Sequence, residues 1–191
     1  MNDRLGRHAL AAVLVVAGMA AILAAMGRAW WCAAGDASLW SSAVLSRHNS
    51  QHLADPYTFT HVLHGLVYYA IAWAGFRRRA GSVGRAWFAL AIEVGWEIIE
   101  NTNAVIDRYR AATASLDYYG DSVVNSIGDV LAFAVGYWMA GVVPVGASIA
   151  AFIVVDGLLA LWIRDGLVLN VLMLLYPIDA IRVWQARGHA A

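Results

Sequence analysis

Residues 9–27 read Ala9-Leu10-Ala11-Ala12-Val13-Leu14-Val15-Val16-Ala17-Gly18-Met19-Ala20-Ala21-Ile22-Leu23-Ala24-Ala25-Met26-Gly27, a run with no charged or hydrogen-bonding side chain. About 20 such residues cross the hydrocarbon core of a bilayer as one helix. The run follows Arg4 and Arg7, as a secretory signal would, but exceeds the roughly 7 to 15 apolar residues of a cleaved signal, so it reads as a span. Working outward, five further stretches share its character: Thr60–Phe76, Ala86–Val105, Ser122–Val143, Ala147–Ile163 and Gly166–Val183. The expectation is an all-α integral membrane helical bundle of about six transmembrane helices, a single domain over residues 1–191, with residues 28–59 forming an outer loop rich in Trp and Ser.

Composition agrees with that solvent. Charged residues make up 14% of the 191-residue chain, against about 25% in soluble domains, and acids and bases balance at 13 each. Mean hydropathy is +0.61. This excludes a disordered chain and a nucleic-acid binder working through net positive charge. Cys32 is the only cysteine, so no intramolecular disulfide forms.

Arginine sets the orientation, because the chain has no lysine and positive charge resists translocation. Arg77, Arg78, Arg79 and Arg85 crowd the connection between the second and third stretches, with Arg4, Arg7, Arg182 and Arg187 on the same side. The chain is expected in a bacterial cytoplasmic (inner) membrane as a multi-pass protein with both termini cytoplasmic.

Ionisable side chains inside a span cost about 2.5 to 3.5 kcal/mol each and need a partner or a purpose. Three consecutive stretches carry them. His61 and His64 are three residues apart, with Tyr68 one turn deeper; Glu93, Glu97 and Glu100 follow at steps of four and three; Asp121, Asn125 and Asp129 follow at steps of four. With alternating span directions, all three ridges meet at one depth on the outer side. The five carboxyls outnumber the two imidazoles, so protons, a metal ion, or Arg108 and Arg110 folding back must offset the excess negative charge.

His and carboxylate ligands suit a divalent metal such as Zn, Fe or Mn, for which His61, His64, Glu97, Asp121 and Asp129 are the candidate ligands. His61, His64, Glu97, Glu100 and Asp121 are the candidate catalytic groups, through acid–base chemistry. Tyr68, Arg108, Arg110 and Asn125 are candidate substrate contacts, the arginines for an anionic headgroup or cell-wall precursor. Membrane lipids are the expected partners, and nucleic acid is not. Whether the chain is an enzyme is left open, beside two other readings. One is a small proton-coupled transporter; the other is a non-enzymatic scaffold in which polar contacts lock the helices together, at about 0.6 kcal/mol each. Asp156, alone in its stretch, is read as structural.

The order Asp55, His61, Glu97-x-x-Glu100, Arg108, Asp121-x-x-x-Asn125-x-x-Gly128 resembles the VanZ-like membrane proteins over roughly Asp55 to Gly136. Glu100 stands where that pattern has Gln, the Arg110 to Asp121 connection is longer, and His64 is additional. The whole chain is similar to uncharacterised families of bacterial multi-pass inner-membrane proteins of this length. The resemblance implies a cell-membrane location and a link to the cell envelope, and it implies no particular activity.

Overall fold

The computed structural model describes residues 2–187. Among them are eight helices and no strand: α1 (Asn2–Ala25), α2 (Thr58–Phe76), α3 (Ser82–Glu100), α4 (Asn103–Ala112), α5 (Val123–Val142), α6 (Val145–Trp162), α7 (Leu167–Leu175) and α8 (Asp179–Arg187). The all-α bundle expected from the sequence is present. Three of the helices, α1, α5 and α6, are long and apolar enough to cross a membrane. Their outward faces bear exposed Leu10, Val13, Leu14, Leu131, Val135, Ile149, Ile153 and Leu158, more contiguous apolar surface than a water-soluble monomer carries. The chain is a membrane protein by this measure.

Two further helices, α2 and α3, have 19 residues each and a length of about 28 Å, but they carry the ionisable side chains and sit against α5 at the centre. Contact between α2 and α5 is the most extensive in the molecule. Gly65 faces the backbone of Phe133 and Gly136, and Gly136 faces that of Val62, at a distance no Cβ would allow. Small residues thus let these two backbones touch. Gly128 of α5 admits the Leu53 carbonyl of the long loop. On the other side, Met19 and Leu23 of α1 pack with Val123 and Val130 of α5 into the main apolar cluster, so α1 is a member of the bundle.

The structure departs from the expected stretches in two places. The third was expected to run to Val105, but α3 stops at Glu100. There Asn101 turns its side chain to Asp121, accepting from the Asp121 N–H at 2.7 Å and donating to its carboxylate at 2.8 Å, and the chain restarts in a new direction as α4. The sixth, Gly166–Val183, is divided into α7 and α8, of nine residues each, about 13 Å and less than half the hydrocarbon thickness. Pro177 lies in the break; it has no N–H to give and disfavours helical backbone at Tyr176.

The polar end of the bundle is laced by the loop spanning residues 28–57. Ser122 N–H donates to Ser50 O at 2.9 Å, Val123 N–H to Ala29 O at 2.8 Å, and Gln51 Nε2 to Gly120 O at 2.8 Å. Asp55 starts α2: its carboxylate accepts from the N–H groups of Tyr57 and Thr58 at 2.7 and 3.2 Å, while Thr58 Oγ1 accepts from Asp55 N–H at 3.0 Å. This is the reciprocal capping pattern that satisfies helix N-terminal donors. Ser122 does the same for α5, accepting from Asn125 N–H at 3.1 Å.

Candidate polar centre between three helices

Helical spacing on α2 points His61 and His64 toward α3, where Glu93 lies between them. His61 Nδ1 is 2.7 Å from Glu93 Oε1 and His64 Nδ1 is 3.1 Å from Glu93 Oε2, so one carboxylate bridges two imidazoles. The rings meet edge to face with centroids 4.8 Å apart. His61 Nδ1 is also 3.3 Å from Glu97 Oε1, outside hydrogen-bonding direction, and His61 Nε2 is 3.8 Å from Asp129 Oδ2 of α5. Glu93 and Glu97 are wholly buried and Asp129 nearly so.

What these acids lack matters as much as what they touch. Both oxygens of Glu97 and Oδ1 of Asp129 are buried with no hydrogen-bond partner, as is the nearby Ser126 hydroxyl. An orphaned buried carboxylate oxygen is costly unless a proton or a cation reaches it. No arginine pairs with Glu93, Glu97, Glu100, Asp121 or Asp129 among the described residues. Two sets of three residues each present ligand atoms within 4.8 Å of one another: His61, Glu97 and Asp129, and His61, His64 and Glu93. Imidazole with carboxylate oxygen is a donor set that fits Zn, Fe or Mn.

A cavity of about 70 Å³ opens beside the centre, enough for several waters or a small polar group. His61, His64, Glu100, Asp121 and Asp129 line its inner wall, and Asn49 and Ser50 reach it from the long loop. Trp96 and the α7 residues Leu167, Val171 and Leu174 give it an apolar side.

Outside the helices the acids respond to burial in ways that can be named. Burial, and then the neighbouring Asp121 charge, push Asp55 up to about 6. Asp121 is raised by burial, against the opposing bonds from Asn101 and from the Tyr118 hydroxyl, which donates at 3.0 Å. Asp165, after α6, is pushed up by burial to about 7 and accepts from the Tyr57 hydroxyl at 3.0 Å.

The residues singled out from the sequence fall into two groups. His61, His64, Glu100, Asp121 and Asp129 line the cavity, and Glu97 joins them through His61 without lining it. Asp121 stands in its wall, but both its oxygens are engaged, by Asn101 and Tyr118, and it belongs to neither ligand set. Tyr68 stacks on His64 at 5.3 Å and does not line the cavity. Asn125 holds the loop, donating to His52 O at 2.8 Å.

Arg108 and Arg110 stand apart from the carboxyls. Arg108 donates to Leu174 O at 2.9 Å; Arg110 donates to Leu116 O at 3.2 Å and lies over the Tyr119 ring. The turn at Asn101 sends α4 toward α7 and takes both guanidiniums with it. Asp156 accepts from Val168 N–H at 3.4 Å near the start of α7, a structural use. Glu93, central to the geometry, was visible in the sequence only as one rung of the carboxylate ridge.

The sequence model described as "Protein of unknown function (DUF2585)" matches residues 23–187, which include every helix from α2 to α8 and the whole polar centre. The chain belongs to the DUF2585 family. Among its relatives, a UPF0314 protein of Paracoccus denitrificans is 48% identical over 176 residues, covering 92% of this chain and 91% of the relative. A UPF0314 protein of Rhizobium meliloti is 50% identical over 161 residues, covering 84% and 81%. One of Sphingopyxis alaskensis is 44% identical over 184 residues, covering 94% and 95%. No solved structure matches. The likeness to VanZ-like proteins rests on residue order alone. What distinguishes this DUF2585 chain chemically is the bridged imidazole pair facing orphaned acids.

Proposed function

We propose that this DUF2585 chain is a multi-pass protein of the bacterial cytoplasmic membrane, with both termini inside. Its polar centre opens on the outer leaflet and uses a divalent metal to act on the polar group of an envelope lipid or lipid-linked cell-wall precursor. The observation that carries the reading is the pair of buried, unpartnered acids, Glu97 and Asp129, gathered on His61 with no arginine to offset them. The crowding of Arg77, Arg78, Arg79 and Arg85 at the opposite end of α2 and α3 supports the orientation. The mixed lining of the cavity, acids and hydroxyls on one side and Trp96 and α7 on the other, suits a substrate with a polar head and an apolar tail.

In this reading His61, Glu97 and Asp129 hold the ion, which supplies Lewis-acid activation of a substrate oxygen or of water. Glu93 orients both imidazoles. With its Nδ1–H donating a hydrogen bond to Glu93, His64 keeps Nε2 bare and able to accept a proton at the cavity wall. Glu100 stands on the same wall as a second proton carrier. A carrier function would need a polar route onward, and past Asp129 the next residues of α5 are Val130, Leu131, Ala132 and Phe133. That favours a one-sided site over transport.

The test is lipid analysis of a deletion strain carrying either the wild-type gene or Glu97→Gln. The wild type should restore the normal profile, and Glu97→Gln at equal abundance should leave a lipid-linked species accumulated. Unchanged lipids on deletion would remove the envelope-lipid reading. Full restoration by Glu97→Gln would show that the cluster serves as a structural lock.

A further inference from the structure

Away from the central cavity, the irregular loop places three soft or borderline donors together. Cys32 Sγ lies 3.5 Å from His48 Nδ1, and His48 Nδ1 lies 3.2 Å from His52 Nε2. All three ligand atoms fall within 4.8 Å of one another. His52 is fully buried and Cys32 nearly so, while His48 is half-buried. These side chains share no helix face; the fold of the loop alone assembles them.

Proton placement fixes the chemistry. His52 Nδ1 is 2.7 Å from the Ser38 carbonyl, an acceptor with no proton to give, so Nδ1 carries the ring hydrogen and Nε2 is bare. That is the backbone-anchored tautomer in which histidine presents Nε2 to a metal. The bare Nε2 faces His48 Nδ1, which also faces the thiol. One hydrogen on His48 Nδ1 serves the imidazole or the sulfur well, and not both. A tetrahedral ion with metal–nitrogen bonds near 2.05 Å and a metal–sulfur bond near 2.3 Å separates two nitrogens by about 3.3 Å and nitrogen from sulfur by about 3.6 Å. The observed 3.2 and 3.5 Å match that spacing. Asp36, whose carboxylate accepts from the N–H and hydroxyl of Ser38 at 2.9 and 3.0 Å, has Oδ2 3.9 Å from His48 Nδ1.

The geometry points to a second metal centre, a Zn(II)-class ion held by Cys32 Sγ, His48 Nδ1 and His52 Nε2, with Asp36 beside His48 but outside this three-ligand set. Its position gives it a structural role. His52 O accepts from Asn125 of α5, and Asn49 and Ser50, between the two histidines, line the central cavity. An ion here pins the loop that forms that wall.

The experiment titrates Co(II) into chelator-stripped, full-length protein in detergent. Because Cys32 is the only cysteine, a thiolate-to-cobalt charge-transfer band in the near ultraviolet reports this centre and no other. The expected result is a band that saturates within two equivalents in the wild type, whose central site also takes the ion, and that is bleached by Zn(II). It should persist in the His61→Ala/His64→Ala variant, and His52→Ala should weaken Co(II) binding at least about tenfold. Absence of the band in the wild type would overturn the proposal without recourse to any variant. So would an equal band and affinity after replacing both His48 and His52 by Ala, which would mark unassisted thiolate binding.

Discussion

Glu93 spans the two histidines of α2, with Oε1 2.7 Å from His61 Nδ1 and Oε2 3.1 Å from His64 Nδ1. A single fully buried carboxylate therefore sets both rings and ties α2 to α3. Removing one partner of a buried charge pair costs about 3 to 5 kcal/mol, because the other partner stays buried and unpaired. Glu93→Ala should lower stability by about that amount. In metal-stripped protein Glu97, which has no hydrogen-bond partner to lose, should tolerate Gln with less than about 1 kcal/mol of change. Denaturation of both variants in detergent checks the contrast, and equal losses would refute the division of labour between the two acids.

The pH dependence of stability follows from acids beside the helices. Asp165 rises from an ordinary 3.8 to about 7 through burial, so the fold holds its proton where the unfolded chain has released it. Its contribution is most favourable below pH 4 and declines as pH rises through 7, by up to about 4 kcal/mol in total. Asp55, raised to about 6, acts in the same direction. Asp165→Asn keeps an acceptor for the Tyr57 hydroxyl and removes the titration. Between pH 5 and 8 the wild type should therefore lose more in Tm than Asp165→Asn does, and parallel curves would contradict the assignment.

Orientation is tested by labelling introduced cysteines in a Cys32→Ser background. Asp117 and Ser82 are both exposed, at opposite ends of the bundle. Membrane-impermeant maleimide added to intact spheroplasts should label Asp117→Cys and spare Ser82→Cys. The reverse pattern would turn the polar centre toward the cytoplasm.

The sequence made the bundle and the meeting of three polar ridges legible, since periods of three and four on apolar helices admit few arrangements. It left the partners within that meeting undetermined. Glu93 and Glu97 lie one turn apart on the same ridge, and only the depth of α2 against α3 decides which of them bonds the imidazoles. The departures of Arg108 and Arg110 followed from a turn at Asn101, which the apolar run through Val105 concealed. Pro177 sits at the division of α7 from α8, but the single stretch Gly166–Val183 was read across it. Cys32, His48 and His52 were invisible to periodicity because an irregular loop has none.

Elemental analysis of protein purified without chelator tests whether His61, Glu97 and Asp129 hold a metal ion. Carrying Cys32→Ser removes the contribution of the loop centre, and the comparison is with the same protein bearing Glu97→Gln, which should lose most metal affinity while the metal-stripped protein keeps its stability. The expected content is about one Zn, Fe or Mn per chain, falling below about a tenth with Glu97→Gln. Metal-free protein, or an equal metal content in the two, would contradict it and leave protons as the only counter-charge for the buried acids.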